Sequence, residues 1–329
     1  MSAEFMIGVD FGATNLRAGV CTREGGLLSL VRSSTEVEQG VHAVIGRIVN
    51  LIQSAVSESD VDPELIKGVG IGACGLVNRE RGLLICSSVL PGWRDVPLVD
   101  LVTGETRLRV FLENDANAAI FGEWFAGAAS GFKHVVGMTL GTGIGGAAIL
   151  HGRLFEGATG LAGEFGHLTV DPEGPRCNCG NRGCVGLLAG GQGIEQRYKH
   201  RADPHGGKGE RYIDTKAIFE MAQHGDDLAR EIVGETARYL GIAVGSLLSC
   251  FNPEMLVMTG GLTLAGENLL VAIRKEASQR TYSTVFDAAR IDFGRFGDTA
   301  GIIGAAGIVF HDPAAGSPPT SAWNDLRRI

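Results

Sequence analysis

The sequence predicts an α/β protein of two lobes around a cleft, with a metal-binding loop set into its second half. Three observations predict it. A chain of 329 residues is long enough for two domains or one large bilobal unit. Runs that read as strands alternate with amphipathic helical runs. A short pattern also returns: GATNLRAGV at 12–20 and GTGIGGAAI at 141–149 are each a Gly/Thr turn followed by a strand of the same length. The repeat predicts two related halves, each presenting a phosphate-gripping hairpin.

Taken in order, Phe5–Gly12 and Leu16–Cys21 read as the arms of a β-hairpin turned at GATN, and Leu27–Arg32 as a third strand. Gly40–Ser57 carries Val41, Val44, Ile45, Ile48, Leu51, Ile52 and Ala55 on one stripe, a helix. Lys67–Ala73, Leu83–Ser87 and Arg109–Leu112 read as strands. Asp115–Ala129 reads as a helix capped near Asn114 or Asp115. His134–Leu140 and Ile144–Leu150 are strands around GTG. Gln192–His200, Asp214–Ala222 and Asp226–Phe251 are helical, the last stopped by Asn252-Pro253. Met255–Met258 is a short buried strand that leads into TGG. Leu269–Gln279 is a helix, Arg290–Phe293 a strand and Ala300–Phe310 a helix of small residues. Residues 202–211 read as a polar surface loop, and 312–329, with three prolines, as a loose tail. The expected division is a small lobe over 1–115, on which the helix at about 299–311 packs back, and a large lobe over 116–298 with the metal loop at 163–186.

Composition narrows the function. With 44% hydrophobic and 20% charged residues the chain is an ordinary globular protein. A formal charge of −8 argues against a nucleic-acid partner. No apolar run is long enough to span a membrane, and the first residues lead into a strand without a signal-peptide pattern. Three of seven cysteines fall in one cluster, while Cys21, Cys74, Cys86 and Cys250 are scattered through apolar segments. That usage points to a reducing cytoplasm.

The metal loop is GEFGHLTVDPEGPRCNCGNRGCVG, Gly163–Gly186. His167, Cys177, Cys179 and Cys184 are the donor set of a closed tetrahedral zinc site, and Gly180 and Gly183 supply the turns that bring Cys184 round. Glu164 and His167 lie three residues apart and can aim at a common point. A histidine that binds metal through one nitrogen keeps a proton on the other to donate to a ligand hydroxyl. Elsewhere, Gly141–Gly146 and Gly70–Gly75 each satisfy G-x-G-x-x-G. Both lead into further strand or turn rather than a helix, so neither is a dinucleotide site, and the chain contains no Walker A sequence. A Gly/Thr hairpin turn binds phosphate with a nest of backbone N–H groups and the threonine hydroxyl. Asp10, Gly12 and Thr14 fit one such turn and Gly141, Thr142 and Gly143 the other, and Asp10 serves either to cap a tight turn or to hold Mg²⁺ directly or through water. Asn114 and Asp115, at a strand-to-helix junction, serve either as an N-cap pair or as a hydroxyl-orienting amide and a general base.

The block GEFGHLTVDP with CNCGNRGC resembles the signature of the ROK family, which groups bacterial sugar kinases with sugar-responsive repressors. DFGATNLR, LPGW, ENDANAA, GTGIGG and TGG follow in the family's order, over about Ile7 to Val309. The resemblance implies the actin-like ATPase fold and an ATP- and Mg²⁺-dependent kinase acting on a hexose 6-hydroxyl, most simply a glucokinase. It also implies Asp115 as catalytic base, Asn114, Glu164 and His167 as sugar contacts, and Gly260 and Gly261 near the adenosine. Zinc would then be structural, and the protein a cytoplasmic homodimer. The repressors carry an added winged-helix domain in front, for which Asp10 lies too near the first residue.

Three departures bear on the sugar. Ala13 stands where the family usually has glycine, and Val89 stands where it has asparagine before LPGW. Gly186 stands where its kinases have a sugar-binding glutamate in C-x-E. The residues leave open an N-acetylmannosamine or N-acetylglucosamine kinase, a polyphosphate donor, and a non-catalytic sugar-binding protein.

Overall fold

The computed structural model describes residues 4–203 and 213–311, and its contacts divide the chain into two units. One holds the residues up to Glu113 together with those from Ala305 onward; the other is Asn114–Gly304. The polar loop expected at 202–211 and the tail at 312–329 lie almost wholly outside the described residues.

The first unit starts with the predicted hairpin, β1 (Phe5–Phe11) and β2 (Asn15–Thr22), followed by β3 (Val31–Ser34) and helix α1 (Val41–Ser57). Then come β4 (Ile66–Ala73), β5 (Leu76–Asn78), β6 (Leu83–Cys86), β7 (Arg94–Val96), α2 (Leu98–Thr106) and β8 (Val110–Asn114). Its main sheet has the order β3-β2-β1-β4-β8, with β1 antiparallel to β2 and parallel to β4; β5-β6-β7 form a small sheet of their own. The α1 stripe buries Val44, Ile45, Ile48, Leu51 and Ile52 against Ile7, Val9, Phe11, Leu16 and Val20. Each such side chain contributes roughly 1.5–3 kcal/mol.

The third strand lies later than the expected Leu27–Arg32. Ser29 explains the shift: its hydroxyl accepts from Val20 N at 3.1 Å and donates to Ala55 O at 2.7 Å. A side chain thus occupies the donor a strand would have paired, and regular pairing resumes only at Val31. Helix α2 was not anticipated, because its apolar signal is two buried positions, Leu98 and Val102.

The second unit opens with α3 (Asp115–Phe125), β9 (Val135–Leu140), β10 (Ile144–Leu150) and β11 (Arg153–Leu154). Helices α4 (Val185–Ala189), α5 (Gly191–Ala202), α6 (Thr215–Gln223) and α7 (Asp227–Phe251) follow. The chain then runs through β12 (Met255–Thr259), α8 (Glu267–Ser278), α9 (Ser283–Ala288), β13 (Arg290–Phe293) and α10 (Ala300–His311). Its sheet has the order β11-β10-β9-β12-β13, with β9 antiparallel to β10 and parallel to β12. This is the arrangement of the first sheet repeated strand for strand, and the two recurring nine-residue patterns occupy equivalent places, turn and second strand. The internal repeat is therefore structural.

Helix α3 stops at Phe125 rather than Ala129. The carboxyl of Glu123 takes Ala128 N at 3.1 Å, and Glu123 O accepts from Gly127 N and Ala129 N, which folds the chain off the helix axis. Asp226 caps α7 through Ala229 N, and Asn252 ends it in the left-handed region (φ 42°) before Pro253.

Helix α10 carries the chain back into the first unit, where its backbone lies on β4: a Cβ at Gly70 would stand 1.8 Å from Ala305 O. Gly8 and Gly19 share the row of Gly70 on β1 and β2.

Candidate functional site

In the first unit the turn between β1 and β2 is tight, with Gly12 N donating to Asn15 O at 3.0 Å. Thr35, fully buried, pins it from the side: its hydroxyl donates to Gly12 O at 2.7 Å and its N–H to Thr14 O. Thr14 is exposed. Asp10 lies one residue pair down the hairpin from the turn, opposite Arg17, whose Nη1 is 3.2 Å from its Oδ2. The sequence reading assigned Arg17 no role. The signal was available, because a hairpin turned at GATN makes residues 10 and 17 cross-strand partners on one face.

In the second unit four expected site segments gather around the start of β10. Gly141–Gly143 turns β9 into β10, its Thr142 and Gly143 exposed. The carbonyls of Gly141 and Thr142 accept from Gly191 N and Gln192 N, tying the turn to the first residues of α5. Gly145 meets Ala116 of α3, where a Cβ would come within 2.6 Å, and so brings the Asn114–Asp115 junction against the strand. Gly146 meets the Phe165 ring, and Gly166 lies on Ile144 O, where a Cβ would stand only 1.9 Å away. These contacts seat the Glu164–His167 turn on the same strand. The glycines of GTGIGG thus serve in part for packing.

The fourth segment, TGG, is held beside Leu140 at the end of β9. Gly260 has φ 110°, and a Cβ there would be 2.7 Å from Leu140 O, so this glycine is required by conformation and by space. Gly143 and Gly261 differ. Neither has a positive φ, and a Cβ at either meets nothing within 4 Å. Both turns sit at the carboxyl ends of the parallel strands β9 and β12, the usual ligand edge of such sheets.

Asn114 is the N-cap of α3: its Oδ1 accepts from Ala116 N at 2.9 Å and Asn117 N at 3.1 Å. Asp115 is the first helical residue, and its Oδ1 also lies 2.9 Å from Ala116 N. The carboxylate stands at the N-terminal end of α3.

The metal loop closes as the donor set requires. The ligand atoms of His167, Cys177, Cys179 and Cys184 all lie within 4.8 Å of one another. Cys179 Sγ and Cys184 Sγ are 3.7 Å apart, and Cys177 Sγ is 3.6 Å from His167 Nδ1. A tetrahedral ion with Zn–S bonds of ~2.3 Å has edges of ~3.8 Å, so the cluster fits zinc. Gly183, at φ 60°, allows the closure: a Cβ would stand 1.6 Å from Asp171 O. A backbone hydrogen bond from Asn181 holds the Cys179 thiol below its ordinary range, while burial pushes Cys184 up to about 12. Metal binding therefore releases protons. Since Nδ1 faces the metal, Nε2 faces away, 3.8 Å from Glu164 Oε2. One donor and one acceptor stand side by side there.

Glu123 was missed by sequence reading. Buried completely, its carboxyl accepts from Ala128 N, Thr259 Oγ1, Arg295 N and Phe296 N. It ties α3 to the residue that delivers TGG. Nothing in the local sequence marks a glutamate whose partners lie up to 173 residues away.

Paired mixed sheets of one strand order, with Gly/Thr turns heading their hairpins and a His/Cys₃ loop, define an actin-like α/β fold. The chain belongs to the ROK family, whose model matches residues 6–312. It is 36% identical over 312 residues to the glucokinase of Thermotoga maritima, covering 92% of this chain and 96% of that one. A solved structure of a ROK family glucokinase from Streptomyces griseus, in complex with glucose and AMPPNP, superposes with a TM-score of 0.78 at 34% identity, over 92% of this chain and 98% of that one. The xylose repressor of Caldicellulosiruptor bescii is also related, at 28% identity over 93% of this chain and 78% of the repressor. Among the described residues no helix is long and apolar enough to cross a membrane.

Proposed function

We propose that the protein is an ATP- and Mg²⁺-dependent hexose kinase that phosphorylates the sugar 6-hydroxyl, with glucose the first substrate to test. The observation that carries the reading is the convergence on one strand start, β10, of the GTG turn, the Asp115 junction and the Glu164–His167 pair. The open space before Gly143 and Gly261 supports it, since neither glycine is demanded by the protein's own packing. Relatedness to glucokinases over nearly the full chain supports the same class.

In this reading Glu164 accepts from a sugar hydroxyl and His167 Nε2–H donates to one. Asn114, its Oδ1 committed to the helix cap, contributes its amide N–H groups. Asp115 takes the proton of the attacking hydroxyl as its oxygen bonds to phosphorus and the bond to the departing diphosphate breaks. Thr142 and the N–H groups of the Gly141–Gly143 turn hold phosphate oxygens, the Gly12–Thr14 turn of the first unit is read as a second phosphate grip, and Gly260 shapes the turn in which Gly261 leaves room for the adenosine. Mg²⁺, when bound near Asp10, supplies charge neutralisation. Arg17 keeps the Asp10 carboxylate aimed. Zinc fixes the loop that carries His167. Homodimerisation and a cytoplasmic location belong to the same proposal, the former read by light scattering.

A second reading, an N-acetylmannosamine or N-acetylglucosamine kinase, rests on Gly186 of α4 standing where the family's kinases have a sugar-binding glutamate. The position itself is not open, since a Cβ there would lie 3.0 Å from Gly166 O. The test is coupled ADP release across glucose, mannose, both N-acetylhexosamines, fructose and allose, with ATP or polyphosphate as donor and Asp115→Asn beside the wild type. Turnover abolished by Asp115→Asn while the fold is kept supports the kinase and names its sugar. Loss of a glucose preference would move the reading to the N-acetylhexosamines. No turnover with any pair, in folded and zinc-loaded protein, would replace it with a non-catalytic sugar-binding role.

A further inference from the structure

The metal loop carries a cationic groove that the proposed reaction does not use. A cavity of about 390 Å³ is lined by Thr169, Pro172, Arg176, Gly180, Asn181 and Arg182. Arg176 and Arg182 are the partners of an isolated antiparallel bridge. The flanking bonds, Cys177 N to Asn181 O at 2.8 Å and Gly183 N to Pro175 O at 2.9 Å, make them a non-hydrogen-bonded pair. That is the register in which opposed side chains come closest, with Cα atoms ~4.5 Å apart. Like charges placed directly opposite each other destabilise a ladder.

Nothing among the described residues relieves this pair. No carboxylate lies within 4.0 Å of either guanidinium, although Asp171 and Glu173 belong to the same loop. Asp171 instead accepts from Glu173 N through its side chain. Among the described residues the Arg182 guanidinium makes one bond, Nη1 to Gly174 O at 3.2 Å. Two exposed arginines opposed across one bridge and lining one cavity, with no internal counterion, form a recognition element for a tetrahedral dianion, which guanidinium groups grip through paired N–H donors. The volume is that of a small-ligand pocket and leaves room for an organic group beside the phosphate.

We propose that this groove binds a phosphomonoester dianion, bridged between Arg176 and Arg182. The site is coupled to the metal loop, because Asn181 Nδ2 donates to His167 O at 3.3 Å and to Thr169 Oγ1 at 2.9 Å. An occupied groove stiffens the turn that carries His167. If the kinase reading holds, it lowers the KM for sugar; the binding itself does not depend on that reading.

The experiment is titration calorimetry on the full, zinc-loaded chain at low ionic strength, with inorganic phosphate and glucose 6-phosphate as separate probes. The expected result is saturable binding of at least one probe, weakened about tenfold or more in both Arg176→Gln and Arg182→Gln, with zinc content unchanged. Arginine-dependent binding of glucose 6-phosphate alone identifies the phosphomonoester; equal binding of inorganic phosphate assigns the site to the phosphate group. Arg176→Glu serves as the folding control: it places an acid opposite Arg182 and is expected to abolish probe binding while raising Tm. Binding that survives both glutamine substitutions, absence of binding, or a lowered Tm in Arg176→Glu would each overturn the proposal.

Discussion

Replacing Glu123 tests how the second unit holds its TGG turn. The carboxyl accepts four hydrogen bonds: Thr259 Oγ1 at 3.0 Å and Phe296 N at 2.9 Å on Oε1, Arg295 N at 2.8 Å and Ala128 N at 3.1 Å on Oε2. No room remains around it, since a Cβ at Gly294 would stand 2.3 Å from Oε1 and one at Gly127 2.2 Å from Oε2. In Glu123→Gln the cheaper orientation keeps the amide oxygen on the Arg295 and Ala128 side. The amide nitrogen then faces Phe296 N–H, left without an acceptor, and the Thr259 hydroxyl, which can rotate to accept. One orphaned buried N–H and the weakening of the remaining bonds cost about 2–3 kcal/mol. Glu123→Ala orphans three backbone N–H groups and opens a cavity, for about 4–6 kcal/mol. For a unit of this size 1 kcal/mol shifts Tm by roughly 2–4 °C, so Glu123→Gln is expected to lower Tm by about 5–10 °C. Calorimetry and urea unfolding followed by far-UV circular dichroism read the two variants in that order. Because Thr259 leads directly into Gly260, the proposed kinase activity is expected to show a raised KM for ATP in the glutamine variant at temperatures where it stays folded. An alanine variant within about 1 kcal/mol of wild type would refute the reasoning.

Four further outcomes follow from other parts of the structure. Gly70→Ala forces a methyl into Ala305 O, 1.8 Å from its Cβ, and is expected to destabilise the first unit by about 3 kcal/mol or more, read as an early unfolding transition. Cys21, buried in β2, has its thiol pushed up to about 12 by burial. The folded state therefore holds a proton that the unfolded chain loses near pH 9, and this stability is complete below pH 9 and lost as pH rises toward 12. Cys21→Ala is expected to flatten that alkaline limb in a plot of Tm against pH. On the proposed reading, removing the metal with a chelator is expected to weaken sugar binding at least tenfold while leaving the first unit folded, and readdition of zinc to restore it. Zinc affinity, measured by indicator competition, is expected to climb from pH 6 to 8 as the cluster thiols deprotonate.

Much of this protein was legible in its residues, because the information was local. His167, Cys177, Cys179 and Cys184 fall within one turn-rich stretch, so spacing alone announced the donor set, and the ligand atoms do converge. The hairpin at GATN, the α1 stripe, the Asn114 cap and the recurrence of the Gly/Thr turn are likewise read over a few residues. Tertiary structure decided what depends on distant partners. Which glycines are demanded by packing and which leave open space could not be known until Gly145 met Ala116 and Gly143 met nothing. The shift of β3 rests on a hydroxyl reaching Ala55, 26 residues along the chain, and the end of α3 on a carboxylate shared with 295 and 296. Arg176 and Arg182 look like ordinary loop charges until the bridge sets them face to face. Sequence determines such features only through the fold, since a hydrogen bond or a like-charge contact acts over a few ångströms whatever the separation along the chain.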